Sequence, residues 1–475
     1  MPANPHLVST AVLLSHWLIV IALSARVIAR RLPVGVSLAW LVLLCSVPFA
    51  GAAAYMLFGG KHLDRLWFAR QAKARRDAQP GLAALIQASS PPSGTPGLGV
   101  YPQALRVLGA PALHGNRLQL LEDHLSVFDA LVREIDSATR HCRLAFYIWH
   151  DAGEVERVHQ ALLQARSRGV QCKVLLDAIG SKPFLGSRRC ADLVRAGIEV
   201  AAALTPSLGR RADLRYHRKI ALIDDRVAYV GSQNLVDPRF FKLDSGVGQW
   251  VDAVARIEGP AVLWLSQIFE MDWSAESGDA FAAPSAMPAP LHGDVLVQAV
   301  PSGPAPRPEA IHRLLLTAIY SARHTLTLTT PYFVPDESVL SALISAAQGG
   351  VRVTLIVPAR NDSFLVRHAS EANYDELLAA GVRIALFEGG LLHTKSMLID
   401  DTMSIFGSVN FDMRSFWLNF EISLLVYSTE FTSRINELQQ GYLGKSVLID
   451  ADRWSKRPII RRALGNTLRL LGPLL

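Results

Sequence analysis

"HRKIALIDD" (His217–Asp225) and "HTKSMLIDD" (His393–Asp401) are one pattern, His-x-Lys-x-x-x-x-Asp, written on an apolar run and repeated 176 residues apart. The stretch after each copy repeats as well. "RVAYVGSQN" (Arg226–Asn234) and "TMSIFGSVN" (Thr402–Asn410) bring Gly-Ser-x-Asn to the same offset, giving Gly231, Ser232 and Asn234, then Gly407, Ser408 and Asn410. A single short match is weak. Two matches with the same tail make an internal repeat, and its fixed residues are polar and reactive rather than core-forming.

Each copy reads as a strand, a turn at Asp-Asp and a second strand. Residues two apart on a strand share a face, so His217 and Lys219 point one way together, as do His393 and Lys395. Asp224 and Asp400 lie seven residues after their histidines and face away. Within the candidate catalytic set of His217, Lys219, Asp224, His393, Lys395 and Asp400, the two aspartates are therefore read as supports of strand and turn.

Outward from the motifs the chain runs through one order twice. "CRLAFYIW" then "VERVHQALLQARSRGVQCKVLLD" gives strand, amphipathic helix, glycine, strand; "HTLTLTTPYF" then "VLSALISAAQGGVRVTLIVP" does the same. "LVRAGIEVAAAL" and "LLAAGVRIALF" add a helix end and a further strand before each motif. The pattern predicts an α/β fold of two pseudo-symmetric lobes with central mixed sheets. The predicted boundaries are 116–288 and 289–431, with the Pro- and Ala-rich stretch "FAAPSAMPAPLHG" at the seam and "ASSPPSGTPGLG" (Ala88–Gly99) as an earlier linker.

The 475 residues are half hydrophobic, and the excess is concentrated at the start. No Asp, Glu, Lys or Arg precedes Arg26, and none lies between Leu32 and Gly60. Segments 7–25 and 34–58 are each long enough to cross a bilayer core of ~30 Å as a helix, so residues 1–60 are expected to form a two-helix transmembrane hairpin. A cleaved signal would want a basic start, which "MPANPH" lacks. Three basic residues (Arg26, Arg30, Arg31) lie at the hairpin tip and six (Lys61, Arg65, Arg70, Lys73, Arg75, Arg76) come after it, which predicts cytoplasmic lobes. Residues 61–115 are read as a basic juxtamembrane segment and linker, and 432–475 as a basic amphipathic tail. That tail suits either a surface helix or a helix in the lipid interface.

The net charge of +7, from 48 basic against 41 acidic residues, is mild. Its placement beside the spans and in the tail favours anionic lipid over nucleic acid. Cys45, Cys142, Cys172 and Cys190 have neither metal nor disulfide spacing. There is no His-Glu-x-x-His and no clustered Asp-x-Asp, so no metal and no cofactor is expected. Two His-Lys pairs at a pseudo-twofold interface would instead split a displacement at phosphorus into two steps. One imidazole attacks and the other protonates the leaving oxygen. The lysines, with Ser232, Asn234, Ser408 and Asn410, would hold the phosphate oxygens. Glu421, 28 residues after His393 on the strand expected beside that motif, is a candidate orienter of an imidazole, and Asp252 is its equivalent in the first lobe.

Doubled His-x-Lys-x4-Asp-x6-Gly-Ser-x-Asn resembles the phospholipase D superfamily. "DLRYHRKIALIDDRVAYVGSQNLVDPRFF", "GVGQWVDAVARIEGP", "TTPYFVPDE" and "VNFDMRSFWLNFE" look like that superfamily's bacterial cardiolipin synthases, and the hairpin and basic tail are also similar. The resemblance covers nearly the whole chain except residues 79–115. It implies an inner-membrane phosphatidyltransferase that condenses two phosphatidylglycerol molecules into cardiolipin and glycerol through a phosphatidyl-histidine. By the family's habit the nucleophile would be His217 and the acid His393, although sequence proximity of Glu421 to His393 points the other way. The motifs do not distinguish transfer from hydrolysis or head-group exchange. A membrane-tethered nuclease and an inactive scaffold are the more distant alternatives.

Overall fold

The apolar runs that carry the motifs fold as hairpins. Ile220–Ile223 pairs with Val227–Gly231, and Ser396–Ile399 with Met403–Gly407; every residue of the four strands is buried. The Asp-Asp pairs make the turns, with φ of 54° and 52° at Asp224 and Asp225, and 49° and 53° at Asp400 and Asp401. Two successive positive φ values match the twist of the flanking strands, and Asp tolerates them better than most side chains. The first aspartate of each turn also ties its hairpin to the neighbouring strand. Asp224 accepts from the backbone N–H of Thr139, Arg140 and His141 at 2.8–2.9 Å. Asp400 accepts from Arg323, His324 and Thr325 at 2.7–2.8 Å.

The computed structural model describes residues 5–30, 34–47, 49–59, 65–88, 100–207, 213–283, 291–304 and 307–469. They fall into two compact units, one within 1–68 and 206–214, the other within 69–205 and 215–475. The first unit holds α1 (Pro5–Ala29), α2 (Val34–Ser46) and α3 (Ala50–Phe58). Val27, Leu44, Ala52 and Tyr55 are its buried centre, and Trp40 meets Tyr55 edge-on at 5.1 Å. The run expected as one span over 34–58 is divided, because α2 has 13 residues, α3 has 9, and Phe49 between them takes a φ of 56°. Among the described residues no helix is long and apolar enough to cross a membrane. Pro48 and several side chains of the first run lie outside the described residues.

The second unit is built on one 16-stranded sheet, with fifteen strands in line and the two-residue strand Arg215–Tyr216 paired beside them. In the first lobe its strands are β1 (Ala112–Leu121), β2 (His141–Phe146), β3 (Gln171–Asp177), β4 (Glu199–Ala203), β5 (Ile220–Ile223), β6 (Val227–Gly231) and β7 (Val254–Glu258). In the second lobe they are β8 (Val295–Ser302), β9 (Thr325–Thr329), β10 (Arg352–Pro358), β11 (Arg383–Phe387), β12 (Ser396–Ile399), β13 (Met403–Gly407), β14 (Asn419–Tyr427) and β15 (Ser446–Leu448). The order 1-7-6-5-2-3-4 of one lobe reappears as 8-14-13-12-9-10-11 in the other, with β15 beyond β11. In each lobe three strands are parallel and the motif hairpin joins them antiparallel.

The expectation of two separate sheets is corrected at the seam, where β1 pairs antiparallel with β8. Ala112 and Leu113 face β8, the register shifts before Asn116, and Arg117–Leu121 pair with β7. Gly115, at φ 93°, makes the shift possible. Buried Asn116 pins it, donating to Leu113 O at 2.6 Å and Val295 O at 3.1 Å and accepting from Ala261 N at 2.8 Å. The predicted start at 116 thus falls inside a strand. The predicted end at 431 falls inside the helix Thr429–Leu443, whose Ile435, Leu438 and Tyr442 are buried. Residues 284–290 of the seam stretch and 89–99 of the linker lie outside the described residues.

Candidate active site

Each motif histidine comes directly after a two-residue strand that pairs with the opposite lobe. Arg215–Tyr216 runs parallel to Asn419–Phe420, and Leu391–Leu392 parallel to Trp250–Val251. His217 N donates to Phe420 O, and His393 N to Val251 O, both at 2.8 Å. The residue after Phe420 is Glu421, and the residue after Val251 is Asp252. Each carboxylate therefore meets the other lobe's histidine. His217 Nδ1 lies 2.8 Å and 2.9 Å from the two Glu421 oxygens, and His393 Nδ1 lies 2.6 Å from Asp252 Oδ1. Sequence proximity pairs Glu421 with His393; the strand exchange corrects this to His217. Because a carboxylate only accepts, Nδ1 of each ring carries the proton and Nε2 carries the lone pair.

The serines stand elsewhere than expected. Ser232 Oγ donates to Asp252 at 2.6 Å and Ser408 Oγ to Glu421 at 2.5 Å. A hydroxyl has one proton, and here it is spent behind the imidazole, not on a substrate oxygen. Asn419 Nδ2 adds a third donor to Glu421 at 3.1 Å. Asn234 accepts from Ile148 N at 3.2 Å through Oδ1, while its buried Nδ2 has no partner among the described residues. Lys219 Nζ donates to His217 O at 2.7 Å and Lys395 Nζ to His393 O at 2.5 Å, which leaves two protons on each ammonium. Asp224 and Asp400 do not reach the imidazoles; their oxygens are occupied by backbone at the hairpin turns. Sequence reasoning missed the rings that pack on the histidines, Tyr147 at 5.0 Å from His217 and Trp250 at 4.2 Å from His393. No spacing signals those contacts.

The electrostatics join the two motifs into one site. Burial lowers both imidazoles to about 4, with Glu421 opposing at His217 and Asp252 at His393; Lys395 acts on His217 and Lys219 on His393. Both rings are thus neutral at pH 7. Burial also lowers Lys395 to about 8 and carries Lys219 well below its ordinary value. Asp252 is drawn to about 2, since His393 and Lys395 outweigh the effect of burial, and Glu421 is lowered in the same way by His217 and Lys219. A buried lysine short of counter-charge is stabilised when an anion arrives, so the site is electrically prepared for a phosphate. Among the described residues no group of three or more His, Cys, Asp or Glu could hold a metal ion.

Residues 131–273 and 315–441 match the family model described as cardiolipin synthase, PLD-like domain. The chain belongs to this family. Cardiolipin synthase A of Yersinia pseudotuberculosis serotype IB (strain PB1/+) is 42% identical over 478 residues, covering 97% of each chain. Cardiolipin synthase A of Yersinia pestis is 42% identical with the same coverage. Among solved structures, the phosphatidylserine synthase of Haemophilus influenzae Rd KW20 aligns with a TM-score of 0.61 over 79% of this chain and 100% of its own. At 14% identity that likeness is one of fold.

Proposed function

We propose that the chain is a cardiolipin synthase that moves a phosphatidyl group between two phosphatidylglycerol molecules. The observation that carries this reading is the pair of buried imidazoles, each with Nδ1 on a carboxylate of the opposite lobe. His217 Nε2 attacks the phosphorus of the first lipid, the P–O bond to glycerol breaks, and glycerol leaves with a proton from His393. The terminal hydroxyl of a second phosphatidylglycerol then gives its proton to His393. Its oxygen attacks phosphorus, the P–N bond breaks, and cardiolipin departs. His393 is neutral at rest and takes up a proton from solvent on Nε2 as the phosphodiester anion arrives and favours its charged form; that proton goes to glycerol, and the acceptor hydroxyl replaces it. Lys219, Lys395 and the free Asn234 amide hold the non-bridging oxygens. His217 is assigned as nucleophile because Glu421 accepts three side-chain hydrogen bonds, including that of His217 itself, and so makes the more fixed support.

The test is the purified full chain in phosphatidylglycerol vesicles, with glycerol, cardiolipin and phosphatidic acid all quantified. Cardiolipin and glycerol in equal amounts are expected. Phosphatidic acid as the main product would make the enzyme a hydrolase.

The same reading places residues 1–60 in the bacterial inner membrane, with lobes of about 116–288 and 289–431, the latter extended by the helix to Leu443, on the cytoplasmic side. Supporting it, Leu14, Leu18, Ile21, Ile28, Val42 and Met56 each expose more than half of their surface, an apolar area that water would penalise. In the tail, the helix Ile459–Arg469 exposes Ile459 and Ile460 beside Arg461 and Arg462, as a helix in the lipid interface would. Removal of residues 1–60 should release the protein from membranes. Retention of the truncated chain at the full-length level would count against the hairpin as anchor.

A further inference from the structure

Arg218 follows His217 in the short segment between the strands Arg215–Tyr216 and Ile220–Ile223, and around it lies a second basic cluster. Its three nitrogens donate to Glu421 O at 3.0 Å, to Asp272, and to Ser302 O at 3.3 Å. Five N–H protons serve those three bonds, so two remain. Arg218 lines a cavity of about 30 Å³ together with Arg75, Arg307, Ser302, Gly303 and Phe420. At roughly 10–15 Å³ per water-sized group, that volume admits two or three oxygen atoms.

Among the described residues that line this cavity three are cationic and none is anionic. The Arg75 guanidinium is drawn below its ordinary value by partial enclosure first, then by Arg218 and further by Arg307; Asp272 opposes, but it is already paired with Arg218. Among the described residues Arg307 makes one hydrogen bond, to Val107 O at 3.2 Å. An independent feature points the same way. Ser302 is 4% exposed, lines the cavity, and its hydroxyl has no partner among the described residues. A buried hydroxyl left unbonded costs free energy that a ligand oxygen would recover. The pseudo-symmetric position is different in kind: Thr394 occupies it, bonded to Tyr442 at 2.8 Å, so the cluster is not a by-product of the duplicated motif.

We propose that Arg75, Arg218, Arg307 and Ser302 form a second anion site, beside the segment that carries His217, that takes a phosphate group. Three guanidinium groups and one hydroxyl suit tetrahedral oxyanion recognition, with forked N–H pairs for two oxygens and the hydroxyl for a third. The phosphate can belong to a glycerophospholipid head group or be free in solution, and the two sources present the same chemistry to these residues.

The experiment titrates the full chain in detergent with inorganic phosphate and, separately, with glycerophosphoglycerol, by calorimetry. Wild type should show two binding components. Arg75→Gln/Arg307→Gln should lose one of them, by about tenfold or more in affinity, while retaining the other. Ser302→Ala should weaken the same component and, as the smallest change, serves where the double variant does not fold. The component vanishing for both probes identifies a diester head-group site, and vanishing for inorganic phosphate alone identifies a free-phosphate site. Isotherms of Ser302→Ala and of the folded double variant that match wild type for both probes would overturn the proposal. Because binding is read directly, that failure is separate from any failure to form cardiolipin.

Discussion

Replacing Glu421 by Gln asks whether the lobes exchange their acids. Glu421 is fully buried and accepts from His217 Nδ1, Ser408 Oγ and Asn419 Nδ2. Glutamine keeps the shape but removes the charge and sets an amide N–H₂ against one of these donors. In the proposed mechanism the ring of His217 becomes cationic as it bonds to phosphorus. A unit charge ~4 Å away at an effective dielectric of about 20 stabilises that cation by about 4 kcal/mol. Glu421→Gln should therefore slow formation of the covalent intermediate by about 10³-fold. The decisive assay compares natural phosphatidylglycerol with a phosphatidyl ester whose leaving group needs no proton. Asp252→Asn and His393→Ala impair the acid, so the activated ester should restore their first step. Glu421→Gln and His217→Ala impair the nucleophile, so it should not. If Glu421→Gln were rescued like His393→Ala, each acid would serve its own lobe and the cross-lobe reasoning would fail.

The same geometry sets three other outcomes. Asp224→Asn and Asp400→Asn each weaken a carboxylate that accepts three backbone N–H groups, and should cost about 2–4 kcal/mol in denaturant unfolding while the folded fraction stays active; normal stability with no turnover would assign the aspartates to the chemistry. Both histidines titrate near 4 when folded, below their ordinary value of 6.5, so the unfolded chain binds more protons between those values. Stability should then fall as pH drops from about 6.5 to 4, by about 3 kcal/mol per histidine, and His217→Gln/His393→Gln should flatten the slope. With the two lysines proposed as the positive charge at phosphorus, excess chelator should leave the rate within about twofold, and a loss restored by one divalent ion would refute that assignment.

The sequence by itself determined the repeat and the family it points to. His-x-Lys with a Gly-Ser-x-Asn tail, present twice, fixes residue types and local spacing, and the period of two along a strand was enough to separate the imidazole and ammonium from the aspartate that turns the hairpin. Strand and helix order was legible for the same reason, since it rests on local hydrophobic periodicity. What only the tertiary structure decided are contacts between residues far apart in the chain. Glu421 is 204 residues from His217 and Asp252 is 141 from His393. Nearness in sequence pointed each acid to the wrong ring, because the two residues before each histidine pair with the opposite lobe and bring the histidine beside the carboxylate that follows there. The single sheet through β1 and β8 was hidden likewise, since a register shift at one glycine leaves no periodic trace. The serines were misplaced because a hydroxyl's donor role depends on which acceptor the fold brings to it, and no local pattern encodes that.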